Sequence, residues 1–170
     1  MKIVKNFLSE ETFKICYDDL VSKLMAESWA FTVVTWREPK VLNGITGSVL
    51  SATVSDNVYE ILRNQFSSLF DISSFQNIRM EYYIWPSYSG LALHNDAIYT
   101  KAATIYLNEN WNVDYGGIFM WKEVESDEFF RAVSPTKNMM LLNDSHQYHM
   151  VTSISPLSPD LRSTIQVWFS

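Results

Sequence analysis

Two histidines and an aspartate are the residues of this sequence most able to do chemistry. His94-Asn95-Asp96 puts an imidazole and a carboxylate on alternate residues, and His149 follows well downstream. Two imidazoles and one carboxylate form the facial triad that holds non-haem Fe(II), leaving open positions for a co-substrate and oxygen. In a β-strand, residues i and i+2 share a face, so a strand over 91–96 is expected to present His94 and Asp96 to one ion. The remaining donor must then arrive from a strand distant in sequence. His146 is the rival to His149 for that place. Cys16 is the only cysteine, which excludes an intramolecular disulfide and a cysteine-based zinc site.

A further charged group sits on the last strand. Alternation over Arg162–Phe169 puts Arg162, Thr164, Gln166 and Trp168 on one face, with Ser163, Ile165, Val167 and Phe169 on the other. An arginine facing the interior of a barrel costs several kcal/mol unless it is paired. No acidic residue is placed beside Arg162 to pair with it, so a carboxylate-bearing ligand gripped by the guanidinium fork is the expected answer. The strand 102–108 puts Thr104, Tyr106 and Asn108 on one face, and Tyr106 can add a hydroxyl to the same carboxylate.

The elements that must position these groups are legible from period and capping. After a short strand-like start, Ser9 reads as an N-cap with Glu10 and Glu11 behind it, and Phe13, Tyr17, Leu20, Val21 and Leu24 recur at helical spacing to about Ala26. Trp29–Trp36 is β-branched and aromatic and reads as a strand. Pro39, Asn43-Gly44 and Gly47 make 37–55 a loop with one short strand. Asp56 is read as the cap of a second helix whose buried stripe is Val58, Ile61, Leu62, Phe66 and Leu69. From residue 78 the period becomes two, with strands expected over 79–85, 91–96, 102–108, 117–121, 128–133, 139–143, 149–154 and 162–169. The fold class is therefore mainly β with N-terminal helices. One domain over 1–170 is expected, with helical support over about 9–70 and a jelly-roll, cupin-like core over about 78–169.

These residues resemble a known family, the 2-oxoglutarate- and Fe(II)-dependent dioxygenases of the prolyl 4-hydroxylase-like group. His94-Asn95-Asp96 is similar to their HxD motif. Tyr106-Leu107-Asn108, Trp111 and Gly116-Gly117 are similar to the segment that follows it. Asn143-Asp144 and His149-Met150-Val151 resemble the approach to the distal histidine, which favours His149 over His146. Arg162–Phe169 resembles the closing strand, and Phe7–Glu11 the family's opening. The stretch holding Pro156 and Pro159, between His149 and Arg162, is longer than in the compact prolyl hydroxylases.

The resemblance implies a double-stranded β-helix. It also implies Fe(II) held by His94, Asp96 and His149, and 2-oxoglutarate held by Arg162 and Thr164 with Tyr106. With O2 such a site hydroxylates an aliphatic C–H and releases succinate and CO2. Asp96 favours hydroxylation, since halogenating members carry a small residue there. The substrate classes implied are a prolyl residue in a peptide, a free amino acid or a small metabolite. Two other readings stand beside this one: a non-catalytic metal-binding jelly-roll module acting as a sensor or interaction protein, and a cupin-type hydrolase or isomerase. The latter usually recruits a further His or Glu close to the first pair, and no such cluster exists here.

Composition limits the partners. The formal net charge of −6, with Lys and Arg scattered, argues against nucleic acid. Hydrophobic residues at 47% and aromatics at 15% describe a folded chain. The start Met1–Leu8 lacks the long apolar core of a signal peptide, and no run reaches the length of a membrane span, so no membrane partner and a cytoplasmic location are expected. The chain's brevity leaves room for a homodimer that completes an active-site lid.

Overall fold

Ser9 and Ser55 start the two helices in the computed structural model of the chain, which describes residues 1–26, 31–34, 47–124, 126–144 and 146–170. Helix α1 spans Glu10–Met25, and the Ser9 hydroxyl accepts from the Thr12 amide. Its buried residues are Phe13, Cys16 and Leu20, whereas Tyr17 and Leu24 are exposed. The apolar stripe is thus rotated from the expected one, and the small Cys16 fills the tight contact. Helix α2 spans Asp56–Ser67 and buries Val58, Leu62 and Phe66. Its cap is Ser55 rather than Asp56, because the Ser55 hydroxyl accepts from Val58 N while Asp56 already lies in the first turn.

Strands β1 (Lys2–Val4), β2 (Thr32–Val33), β3 (Leu50–Thr53), β4 (Ile78–Trp85), β5 (Leu91–His94), β6 (Lys101–Tyr106), β7 (Phe119–Trp121), β8 (Arg131–Val133), β9 (Met140–Asp144), β10 (His149–Val151) and β11 (Arg162–Phe169) follow in chain order around the helices. Trp29, Trp36, Pro39 and Asn43-Gly44 lie outside the described residues. Two antiparallel sheets form, a large one in the order β1-β9-β6-β11-β4-β3-β2 and a small one in the order β5-β10-β7-β8. This is the jelly-roll architecture expected from the period-two pattern.

Alternation divides the large sheet between two cores. Ala103, Ile105 and Leu107 of the β6 segment and Ile165, Val167 and Phe169 of β11 pack with helix residues such as Phe13, Leu20, Leu62 and Phe66. Phe66 meets Phe7 and Phe169 at 5.2 Å, so the helices lock onto that face through aromatic contacts. The opposite face turns Tyr83, Trp85, Tyr106 and Trp168 toward Phe119, Trp121 and Val151 of the small sheet. A cavity of about 1150 Å³ lies on this side. The helix-facing core supports the fold, and the sheet-to-sheet space carries the polar groups.

Candidate active site

Strands β5 and β10 pair so that His94 and His149 are direct cross-strand neighbours, with ring centroids 4.3 Å apart. Asp96 completes the cluster: its carboxylate oxygens lie 3.9 Å from His94 Nε2 and 3.7 Å from His149 Nε2. One ligand atom from each of the three falls within 4.8 Å of the others. The route differs from the expected one. Strand β5 ends at His94, so Asp96 is not a strand residue sharing a face with it. It reaches back from a turn closed by Tyr99 N donating to Asp96 O at 2.8 Å. The histidines therefore stand on a ladder, and the carboxylate stands on a loop.

The ring tautomers are set by the backbone. His94 Nδ1 lies 2.8 Å from Ala92 O, and His149 Nδ1 lies 3.0 Å from Gln147 O. A carbonyl only accepts, so each Nδ1 carries the proton and each Nε2 keeps a lone pair toward Asp96. Phe119 stacks on His149 at 5.1 Å and 14°, holding the ring's plane. Burial, then the neighbouring His149, push the His94 imidazole down to about pH 4, which keeps it a neutral donor. His146 is exposed on the turn before β10 and stands away from the cluster.

This lowered value has a sign that can be checked. The unfolded chain takes up a proton at His94 near the ordinary histidine pKa of 6.5, while the folded chain resists it down to about 4. Between these values the unfolded state binds more protons, so metal-free protein loses stability as pH falls from 6.5 to 4. Urea unfolding at pH 7, 5.5 and 4.5 should show that decline. His94→Leu should flatten it, and an equal slope in the variant would remove His94 as its source.

Arg162 is fully buried at the head of β11. Its Nε donates to Gly117 O at 3.0 Å, and its guanidinium carbon lies 4.9 Å from the Trp85 ring and 5.2 Å from the Tyr106 ring. Among the described residues it makes no ion pair, and burial draws its pKa below the usual arginine range. Among the described residues, both Arg162 Nη1 and the Tyr106 hydroxyl are buried without a hydrogen-bond partner. Tyr106 is cross-strand to Thr164. The Thr164 hydroxyl accepts from Gln166 Nε2 at 3.0 Å and from Trp85 Nε1 at 3.4 Å, while Thr104 donates to the Gln166 carbonyl at 2.8 Å. With both lone pairs engaged, the Thr164 hydroxyl has its own proton left to donate. The open Nη1 of the guanidinium, the adjacent phenol and a hydroxyl with one free proton compose a cradle for a carboxylate.

The family model of the 2OG-Fe(II) oxygenase superfamily matches residues 79–170, more than half of the chain. The chain belongs to that superfamily. Fe(II), 2-oxoglutarate and O2 are the reactants that this family uses, and the oxygenase's own residues fit them. The His94, Asp96 and His149 donors suit non-haem iron. The orphaned atoms of Arg162 and Tyr106 call for an anion.

Solved structures share the oxygenase's fold. A prolyl hydroxylase from Trichoplax adhaerens, in complex with a hypoxia inducible factor peptide fragment, superposes with a TM-score of 0.79 at 18% identity, covering 99% of this chain and 82% of that one. A Pseudomonas putida prolyl-4-hydroxylase gives 0.72 at 15%, covering 99% and 90%. A 2OG-Fe(II) oxygenase family protein from Burkholderia pseudomallei gives 0.70 at 12%, covering 99% and 84%. No curated protein matches the oxygenase by sequence.

Several residues of the site were not singled out by the sequence. Trp85 is a buried core residue that also lies against the guanidinium. Asn108 accepts from Ser163 N and donates to Leu161 O, clamping the chain on either side of Arg162. Gly116 and Gly117 both have positive φ. Gly117 does more: a Cβ there would sit 2.8 Å from Arg162 Cδ, so the missing side chain is what lets the guanidinium lie flat against the strand. Gly117→Ala should cost on the order of 1–2 kcal/mol from its left-handed backbone alone. It should also push Arg162 out of line and weaken 2-oxoglutarate binding, with iron affinity kept. Thermal unfolding and parallel titrations of the two ligands check this, and an unchanged 2-oxoglutarate affinity would show that Arg162 does not depend on the glycine.

Proposed function

We propose that this oxygenase hydroxylates an aliphatic C–H, with Fe(II) held by His94, Asp96 and His149 and the far carboxylate of 2-oxoglutarate held by Arg162, Tyr106 and Thr164. The observation that carries the reading is the pairing of the three-donor cluster with a buried arginine that meets no anion among the described residues, along one cavity. When bound, the iron and co-substrate supply the power to activate O2 and take hydrogen from an unactivated carbon, with release of succinate and CO2.

The chain's own residues bind, orient and exclude water. The carbonyls of Ala92 and Gln147 keep both imidazoles in the ligating tautomer. Trp85, Tyr106 and Phe119 form dry walls, so the charge-assisted bonds at Arg162 act at low dielectric. Asp96 occupies the position of the carboxylate ligand, which favours hydroxylation over halogenation. The likeness to a prolyl hydroxylase carrying a peptide makes a peptidyl proline the first substrate to test. Free amino acids and small metabolites come next.

Among the described residues no helix is long and apolar enough to cross a membrane. A cytoplasmic location and a homodimer closing the cavity belong to the same proposal.

Anaerobic protein given Fe(II) and then 2-oxoglutarate should develop the weak visible charge-transfer band of the ternary complex, and admission of O2 should release succinate. Metal binding without the band and without succinate would move the protein to the non-catalytic metal-binding reading.

A further inference from the structure

The cavity continues beyond the residues assigned so far. Cross-strand register in the large sheet sets Asn143 of β9, Ala102 of β6, Trp168 of β11 and Arg79 of β4 in one row. All four line the cavity. Along β11 this row lies roughly 20 Å from Arg162, at ~3.4 Å per residue. A five-carbon diacid resting on Arg162 cannot reach it. The row is therefore free for a different molecule.

Its chemistry is specific. Asn143 is only 5% exposed, and its Nδ2 is buried without a hydrogen-bond partner among the described residues. Native folds rarely leave a buried amide donor unpaired, so the group points to a ligand that completes it. Beside it Ala102 carries only a methyl, which leaves a hollow in front of the Trp168 ring. Tyr99 packs on that ring at 5.8 Å and extends the apolar wall. The one cation in the row is already engaged: Arg79 donates through Nε and Nη2 to Glu81 and lies 5.0 Å over Trp168. The hollow thus offers a neutral carboxamide and an aromatic wall, with no uncommitted charge among the row's residues.

We propose that Asn143 anchors the primary substrate by hydrogen bonding to a neutral amide of that substrate, at the end of the cavity away from Arg162. The inference rests on the oxygenase reading and adds the substrate's chemical class and a positioning residue. A carboxamide presents a donor and an acceptor side by side, and the group that answers both is a second amide, as in a peptide bond. A free amino acid would bring a carboxylate and an ammonium into a row whose only cation is committed to Glu81, and burying those charges without partners is costly.

The test uses protein loaded with redox-inert Zn(II) and 2-oxoglutarate, so binding is read without turnover. Probes are acetyl- and amide-capped pentapeptides centred on proline, lysine, leucine or asparagine, each set against the corresponding free amino acid. Side-chain NH2 signals of Asn143, assigned by their loss in Asn143→Asp, should shift with at least one capped peptide at concentrations where no free amino acid moves them. Asn143→Leu should weaken that peptide about tenfold, the scale of one hydrogen bond, and leave 2-oxoglutarate affinity unchanged. If the leucine variant does not fold, Asn143→Asp, which keeps the shape and loses the donor, carries the same expectation. Free amino acids binding as well as capped peptides, no capped peptide shifting the signals, or a loss of 2-oxoglutarate affinity in the variants would each overturn the proposal. Failure of the oxygenase reading itself would show separately, as absence of 2-oxoglutarate binding in the unmodified protein.

Discussion

Arg162→Leu is expected to lower 2-oxoglutarate affinity by on the order of a hundredfold or more while iron binding persists. Each hydrogen bond to a charged partner contributes about 1.5–3 kcal/mol, and every 1.4 kcal/mol is tenfold in affinity. Arg162 has Nη1 uncommitted, and Tyr106 adds its hydroxyl. Losing the fork removes the main bonds and leaves the second carboxylate of the diacid facing Trp85 and leucine. The ligand-free variant should melt close to the parent, since removing a buried cation with no anion offsets the lost bond to Gly117 O and the space the shorter leucine leaves. This separates a binding role from a structural one. Arg162→Lys keeps the charge and loses the planar fork, so its affinity should fall between the two. Titration of the charge-transfer band gives all three constants. An affinity unchanged in Arg162→Leu would remove the co-substrate assignment.

The second large effect concerns the histidines. His149→Ala should abolish turnover and cut iron affinity by orders of magnitude, because two donors remain where the cluster has three. His146→Ala should retain most activity, since that ring is exposed on the turn ahead of β10 and outside the cluster. Iron titration together with succinate release distinguishes the variants. A reversed order would shift the distal ligand to His146 and break the match of His149-Met150-Val151 to the family motif.

Much of this arrangement was legible in the sequence because period two is a rigid constraint. Once Arg162–Phe169 is a strand, Arg162, Thr164, Gln166 and Trp168 must share a face, and three of them line the cavity. Where the sequence misled, a turn or a rotation was responsible. The strand argument for His94 and Asp96 assumed that the strand continues, but it ends at His94 and the chain turns at Ala97-Ile98, so proximity is achieved by another path. On α1, Tyr17 and Leu24 fit the helical period yet face solvent, because hydrophobic spacing does not decide which of two adjoining stripes a sheet will cover. The roles of Gly117, Trp85 and Asn143 were hidden for a different reason. Each depends on a partner far along the chain: Arg162 for the first two, and the Ala102–Trp168 row for the third.

The split between the two faces of β11 separates two kinds of substitution. Ile165, Val167 and Phe169 answer to the helices, while Arg162, Gln166 and Trp168 answer to whatever enters between the sheets. Neighbouring residues of one strand thus serve different cores, one set the helix-facing layer and the other the space between the sheets. A substitution at Trp168 or its cross-strand neighbour Ala102 acts on the cavity-side core and leaves the helix-facing core untouched. Substitutions at alternate positions of β11 therefore reshape the cavity wall separately from the helix-facing core.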